Sequence, residues 1–489
     1  MTRKARSRPL WPTLALACVA QFMVILDVSV VNVALPSIRN SLHFDEQDLS
    51  WVVNLYTVTF AGFLLLGGRA ADLLGQRRVF VGGLLLFAFA SLVGGMADSR
   101  GLLMGARAAQ GLGAAVISPT SLAILTTSFR EGPERNRALG AWGAMGGAGG
   151  SAGVLLGGAL TDLVNWRWIL FINVPIAAGA ALLSLRHIAE RRNPDRARNF
   201  DLAGATTVTL GLMAIVWAIV RTDVNGWGSA KTLGLLGIGA ALIAVFVSIE
   251  ARFASHPLMP LRIFSSRLLS AANVIVVLLG AAMFGMWFFV SLYLQQVLGY
   301  SPLIAGLAFL PMTLTIVFVS MFISRLIARV GVKPLLTVGM LAAGVGLLEF
   351  AQVSPTGSFA GDVLLPGLVT ATGMALAFVP ATIAAVAGVD SSEAGLASGL
   401  VNTSRLMGGA LGLALLATIA TQRTNSLLSG GHASTSAALH SALTEGFQRA
   451  FTIGAGFAFA GALVALLAIK RVPRRASEPQ PEAALAESA

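Results

Sequence analysis

The chain has 489 residues, of which 56% are hydrophobic and only 11% charged, and its mean hydropathy is +0.78. A water-soluble domain needs far more charged surface, so the composition predicts a polytopic membrane protein. The formal net charge of +12 does not point to nucleic acid: the basic residues stand in short clusters between apolar runs, which is the pattern of membrane topology.

Apolar runs long enough to span a bilayer, about 20 residues each, recur along the whole chain. Fourteen are expected, at roughly 11–35, 49–68, 79–97, 101–124, 138–160, 168–187, 202–220, 232–249, 269–297, 303–327, 335–353, 362–387, 395–420 and 450–470. The first follows "MTRKARSRPL", which looks like the basic region of a signal peptide. The apolar stretch continues well past Cys18, however, so an uncleaved helix is expected. Cys18 is the single cysteine, which excludes an intrachain disulfide and a thiolate metal site; neither a metal nor a cofactor is expected.

An even number of spans places both termini on one side. The loops of that side carry 25 of the 34 basic residues and the opposite loops seven, with Arg107 and Arg405 left inside spans. The bias makes the terminal side cytoplasmic. The expected organisation is a cytoplasmic segment at 1–10, a six-helix half at 11–187 and a two-helix insert with cytoplasmic linkers at 188–267. A second six-helix half follows at 268–470, with a disordered cytoplasmic tail at 471–489. The halves echo each other. "GRAADLLGQRRV" (68–79) and "SRLIARVGVKPL" (324–335) occupy equivalent loops, with Gly75 aligned to Gly331 and Arg77 to Lys333. Repeated halves flanking a midplane site are a transporter architecture.

The sharpest chemical signal is Asp27, in "VILDVSVVNVALPSI". A carboxylate at bilayer depth costs roughly 2.5–3.5 kcal/mol on insertion scales, so it must face the bundle interior, pair with a base or bind a proton. Arg107, in "LLMGARAAQGLGAA", is the second such residue. Counted along helices of opposite direction, both lie about 10–12 Å below the outer surface, so they can meet. Burial disfavours the charged carboxylate and a nearby guanidinium favours it. A group balanced in that way can load and release a proton. The blander alternative is a static pair that only aligns helices.

The loop built on Gly68, Asp72, Gly75, Arg77 and Arg78 reads either as a positive-inside stop signal or as a cytoplasmic latch. In the second reading Asp72 docks on the start of the helix near Asp390. In "GAWGAMGGAGGSAGVLLGGAL", Gly149, Gly153 and Gly157 recur every four residues, a spacing that allows close helix packing or a pivot between halves. Asn32, Asn54, Tyr56, Gln110, Met145, Trp287, Tyr293, Asn402 and Arg405 are candidates for lining a cavity suited to bulky amphipathic ligands. No GxxxxGK[ST] or HExxH occurs, and the five histidines fall in loops or at span ends. An ATPase or a membrane-embedded enzyme is therefore poorly supported.

Taken together, "LDVSVVNVALPSI", "GRAADLLGQRRV", "RAAQGLGAA", "GAWGAMGGAGGSAGVLLGG", "WRWILFINVPI" and "LGYSPLIAGLAFLP" resemble the major facilitator superfamily, and within it the fourteen-helix drug:proton antiporter branch. The likeness covers nearly the whole chain apart from both tails. It implies an all-α membrane protein with two six-helix halves and two inserted central helices. It also implies export of small drugs or antibiotics across the bacterial inner membrane, driven by proton entry, by a chain expected to work as a monomer. By the resemblance, Asp27 and Arg107 are proton-coupling candidates and Asp72 belongs to a conformational switch. Gly140, Gly149, Gly153, Gly157 and Gly158 stand in register with the antiporter motif of the fifth helix. Val154 replaces the proline usual after the motif glycine, which weakens the expected kink. A proton-coupled nutrient importer is the alternative, but it would need more fixed polar groups in the spans.

Overall fold

The computed structural model describes residues 10–129, 133–190, 201–253, 261–387, 389, 394–429 and 436–469. The segments at 1–9 and 470–489, and with them the expected tail, lie outside the described residues. The first group of helices is α1 (Leu10–Leu42), α2 (Glu46–Leu74), α3 (Gln76–Gly95), α4 (Arg100–Ser128), α5 (Pro133–Leu163), the short α6 (Trp168–Phe171) and α7 (Asn173–His187). The middle group is α8 (Leu202–Val220), α9 (Thr222–Asn225) and α10 (Ala230–Ser248). The last group begins with α11 (Arg267–Leu292), which runs into a π-helical turn at Tyr293–Val297. It continues with α12 (Pro302–Ala308), α13 (Leu310–Val330), α14 (Val332–Phe350), α15 (Leu365–Ala387), α16 (Ala394–Leu427) and α17 (Ser436–Ala468). No strand occurs among the described residues.

Hydrocarbon offers the backbone no hydrogen-bond partners, so spanning segments must satisfy their own N–H and C=O groups. Serines close several helix starts: Ser99 Oγ accepts from Leu102 N at 3.4 Å, Ser229 Oγ from Thr232 N at 3.1 Å and Ser266 Oγ from Leu269 N at 3.3 Å. Ser301 caps α12 in the same way, ahead of Pro302. That proline loses nothing in the first turn, where its missing N–H would have no helical partner.

Eleven helices among the described residues are long and apolar enough to cross a membrane. The expected spans at 49–68, 138–160 and 202–220 correspond to α2, α5 and α8, of 29, 31 and 19 residues. Each of these three includes positions whose side chains lie outside the described residues, so the eleven are no count of the whole chain; within α8, Thr206–Val220 is itself apolar. Leu182, Leu183 and Leu185 of α7 are exposed, while Asp27 and Arg107 are buried. This inverts a soluble fold, as a lipid surround requires.

Both halves use one packing device. In the first, Gly149, Gly153 and Gly157 of α5 face the backbone of α1. A Cβ added to them would stand 2.7 Å from Phe22 O, 2.8 Å from Leu26 O and 2.8 Å from Val30 O. In the last group of helices, Gly408 and Gly412 of α16 lie closer still to Val277 and Ala281 of α11. The echo between Gly75 and Gly331 is also structural: both link two helices at positive φ, +106° and +93°, a conformation that glycine adopts without steric cost.

The first and last groups of helices hydrogen-bond to each other at the arginine-poor end of the bundle, and α2 packs against α16. Ser291 Oγ donates to Asn32 O at 2.8 Å, and Gln295 Nε2 donates to Val33 O at 3.0 Å. Gly306 of α12 sits beside Val154 O of α5, and Gly158 beside Pro302 O. The middle group straddles this seam. Arg221 pairs with Asp48 of α2 at 3.5 Å, while Thr418 and Gln422 of α16 reach Ile219 O at 3.0 Å and Thr222 Oγ1 at 3.4 Å.

Candidate functional site

Asp27 lies on α1 where α5 presents its glycines, and the close approach they permit brings α1 into the first half's interior. Arg107 and Gln110 stand three apart on α4 and so share a face. Asn173 begins α7, two residues before Pro175. These side chains converge. Arg107 Nη1 donates to Asp27 Oδ2 at 2.5 Å and to Gln110 Oε1 at 2.9 Å. Arg107 Nε donates to Val52 O at 2.9 Å. Gln110 Nε2 donates to Asp27 Oδ1 at 3.1 Å and to Ser91 Oγ at 2.8 Å. Asn173 Nδ2 donates to Asp27 Oδ1 at 2.8 Å. The guanidinium lies over the Tyr56 ring, 4.4 Å from its centroid, and the Tyr56 hydroxyl donates to Val24 O at 3.2 Å.

Asp27 and Arg107 are 0% and 1% exposed. Taking two charges out of water costs several kcal/mol per ion, repaid only when geometry is good and the remaining valences are filled. Five hydrogen bonds and a ring beneath the guanidinium meet that condition. Such an assembly can hold a carboxylate in an apolar bundle or exchange a proton with it.

The structure brings together Asp27 and Arg107 as their depths predict. It adds Gln110 and Tyr56, which the sequence groups with the cavity. Asn173 and Ser91 were missed. Asn173 stands in "WRWILFINVPI", a string read only for its resemblance, and Ser91 is one serine in an apolar run; neither carries a spacing that points to Asp27.

The arginine-rich turn forms a second cluster. Gly75 joins α2 to α3. Arg77 Nε and Arg78 Nε each lie 3.6 Å from Glu190 Oε2, and Arg77 N donates to Glu190 Oε1 at 3.3 Å. Glu190, just past α7, carried no signal of this in the sequence. A Cβ on Gly75 would collide with its carboxylate. Gly68 lies against Pro119 of α4. The side chain of Asp72, the surroundings of Gly140 and residues 390–393 lie outside the described residues, and with them the expected docking of Asp72.

The remaining candidates are dispersed. Asn32 bonds within its own helix to Val28 O at 3.3 Å. Asn54 is fully buried, and neither polar atom of its amide has a partner. Met145 is half-buried on α5. Trp287 packs on Phe309 at 4.9 Å between centroids. Tyr293 donates to Ser354 O at 2.7 Å, at the arginine-poor end rather than in the middle of the bundle. Arg405 donates to Asn402 Oδ1 at 2.9 Å and lies over Phe378.

Residues 17–413 match the family model described as Major Facilitator Superfamily. The chain is 41% identical over 419 residues to the cephamycin export protein CmcT of Amycolatopsis lactamdurans, covering 85% of this chain and 86% of that one. It is 37% identical over 471 residues to the puromycin resistance protein pur8 of Streptomyces alboniger, covering 96% and 93%. Among solved structures, an auto-inhibited POT family peptide transporter superposes with a TM-score of 0.65 at 16% identity, over 95% of this chain and 99% of that one. At that identity the likeness concerns the fold alone. The family match, the relatives and the helical bundle agree: the chain is a membrane transporter, not an enzyme, and it belongs to the Major Facilitator Superfamily.

Proposed function

We propose that this protein is a proton-coupled antiporter that exports small amphipathic antibiotics or drugs across the bacterial inner membrane by alternating access. The observation that carries the reading is the buried Asp27–Arg107 pair, held by amides at the centre of the first half. A carboxylate at that depth is costly, and proton coupling gives it a use. The relatives named for cephamycin export and puromycin resistance support an antibiotic as cargo.

In this reading fourteen helices span the membrane, with α8 and α10 as the inserted pair, both termini cytoplasmic and one chain sufficient. The arginine-rich end is cytoplasmic by the positive-inside bias. The hydrogen bonds between α1 and α11 then lie at the outer end, so the arrangement is closed outward. The two halves rock about the central space. A proton arriving from outside neutralises Asp27 and weakens its hold on Arg107, and the rearrangement lets drug leave. A proton moving inward across ~100 mV gains about 2.3 kcal/mol from the potential alone. The cluster of Gly75, Arg77, Arg78 and Glu190 serves as a cytoplasmic latch, and the α5 glycines as the pivot against α1.

The test is efflux of a fluorescent drug from energised cells, wild type against Asp27→Asn, with and without a protonophore. Loss of export in the variant and with the protonophore, at equal expression, supports the reading. Accumulation instead of efflux would make the protein an importer. Undiminished export by Asp27→Asn would move the proton site elsewhere.

A further inference from the structure

Asn173 differs from the other partners of Asp27 in having half of its amide idle. Nδ2 donates to Asp27 Oδ1, but its Oδ1 is buried with no partner. Both ends of the Gln110 amide are engaged, with Oε1 taken by Arg107 and Nε2 shared between Asp27 and Ser91. The charged and titratable groups at Asp27 are Arg107 of α4 and Tyr56 of α2, whose hydroxyl is directed to Val24 O. Where α5 packs against the neighbouring residues Leu26 and Ser29 of α1 it does so through Gly149 and Gly153, which offer no side chain.

Asp27 is therefore ringed by donors. That suits a carboxylate, which only accepts. A protonated carboxyl carries an O–H that must donate, and a ring of donors leaves it without an acceptor. Within this cluster the unfilled acceptor is Asn173 Oδ1. The terminal torsion of asparagine is broad and roughly two-fold, so about half a turn exchanges Nδ2 for Oδ1 without moving the backbone.

We propose that Asn173 is a positioning residue that serves both proton states of Asp27, as donor to the carboxylate and, after its amide turns, as acceptor from the acid. The inference rests on the proton-coupling reading and says how one side chain lets the site change state without leaving a buried O–H unpaired. Leaving it unpaired would add a desolvation penalty; the turn instead passes the idle, unpartnered place from Asn173 Oδ1 to Nδ2, so no further buried group is left unpaired.

The test uses the full-length protein in liposomes and pH-difference infrared spectroscopy. The carboxylic-acid C=O band of Asp27 is assigned by its loss in Asp27→Asn. In Asn173→Leu, similar in size and without donor or acceptor, the band is expected at higher frequency, because the acid O–H has lost its acceptor. In Asn173→Thr, whose hydroxyl both donates and accepts, it is expected near the wild-type position. Protonophore-sensitive efflux should fall about tenfold in Asn173→Leu and recover in Asn173→Thr. Asn173→Ala gives the same comparison if Asn173→Leu does not accumulate. An Asp27 band that is present in the wild type and unmoved in these variants overturns the inference and leaves proton coupling intact. Absence of any Asp27 band overturns proton coupling itself, and the inference with it.

Discussion

Arg107 reaches Asp27 across the bundle and closes an ion pair that solvent does not touch, 2.5 Å between Nη1 and Oδ2. The same guanidinium binds Gln110 and the Val52 carbonyl, so the charge is anchored on α2 and α4 as well as on α1. Any change in the protonation of Asp27 is therefore felt at once on three helices.

Replacing either partner tests how stability and coupling divide. Asp27→Asn keeps volume but sets an amide donor among donors and leaves Arg107 without its counter-charge; it should lose proton-driven efflux when compared at matched expression. Arg107→Ala leaves a buried carboxylate unpaired, and breaking such a pair costs about 3–5 kcal/mol. Its expected outcome is a marked drop in melting temperature of the purified protein. Arg107→Lys keeps the charge but cannot reach Asp27, Gln110 and Val52 together. It should fold and transport poorly. A melting curve for Arg107→Ala superimposable on wild type would show that the pair carries little stability.

The Gly75 turn separates conformational strain from charge. Gly75→Ala meets both a positive φ and the Glu190 carboxylate. Glu190→Gln removes the partner of two arginines that are themselves partly exposed, and pairs of that kind contribute about 0–1 kcal/mol. Glu190→Gln should therefore leave thermal stability nearly unchanged and lower efflux if the latch matters. Gly75→Ala combined with Glu190→Ala, which removes the clashing carboxylate, should recover only part of what Gly75→Ala loses, because φ stays at fault. Full recovery would place the whole defect in the clash.

Glycines on α5 and α7 predict opposite outcomes. Gly153→Leu pushes α1 away from α5, because the new side chain would enter the space of Ser29 and Leu26. Transport and stability should both fall. A Cβ at Gly179 of α7 meets nothing within 4 Å, and Gly→Ala in an open helix interior gains roughly 1 kcal/mol of helix propensity. Gly179→Ala should be neutral or slightly stabilising. Thermal melts of the two variants in one detergent decide this.

The middle group ties the seam between halves. Gln422 of α16 touches Thr222 on one side of it, and Arg221 holds Asp48 of α2 on the other. With Cys18 exchanged for serine the chain has no cysteine, so Thr222→Cys/Gln422→Cys can be joined by a short thiol cross-linker. Joining should arrest efflux, and a reducible linker should restore it on cleavage. Transport that continues through the cross-link would show that this contact persists through the cycle.

Much of this was legible in the chain. Asp27 and Arg107 stood out because hydrocarbon makes every intramembrane charge expensive, so the sequence by itself marks where charge is retained. Helix directions and lengths then placed both residues at one depth. The turn glycines Gly75 and Gly331 were legible for a similar reason, since each falls between apolar runs at an equivalent place in a repeat. Asn173, Ser91 and Glu190 were not, and Gln110 stood out only as a cavity candidate, not as a partner of Asp27. An amide or a serine in a span is cheap enough to be common, and its chain position says nothing about which helix it faces. Only the packing of α1 against α4, α5 and α7 decides that Asn173, 146 residues from Asp27, donates to it, because side-chain hydrogen bonds select partners by distance and direction in space.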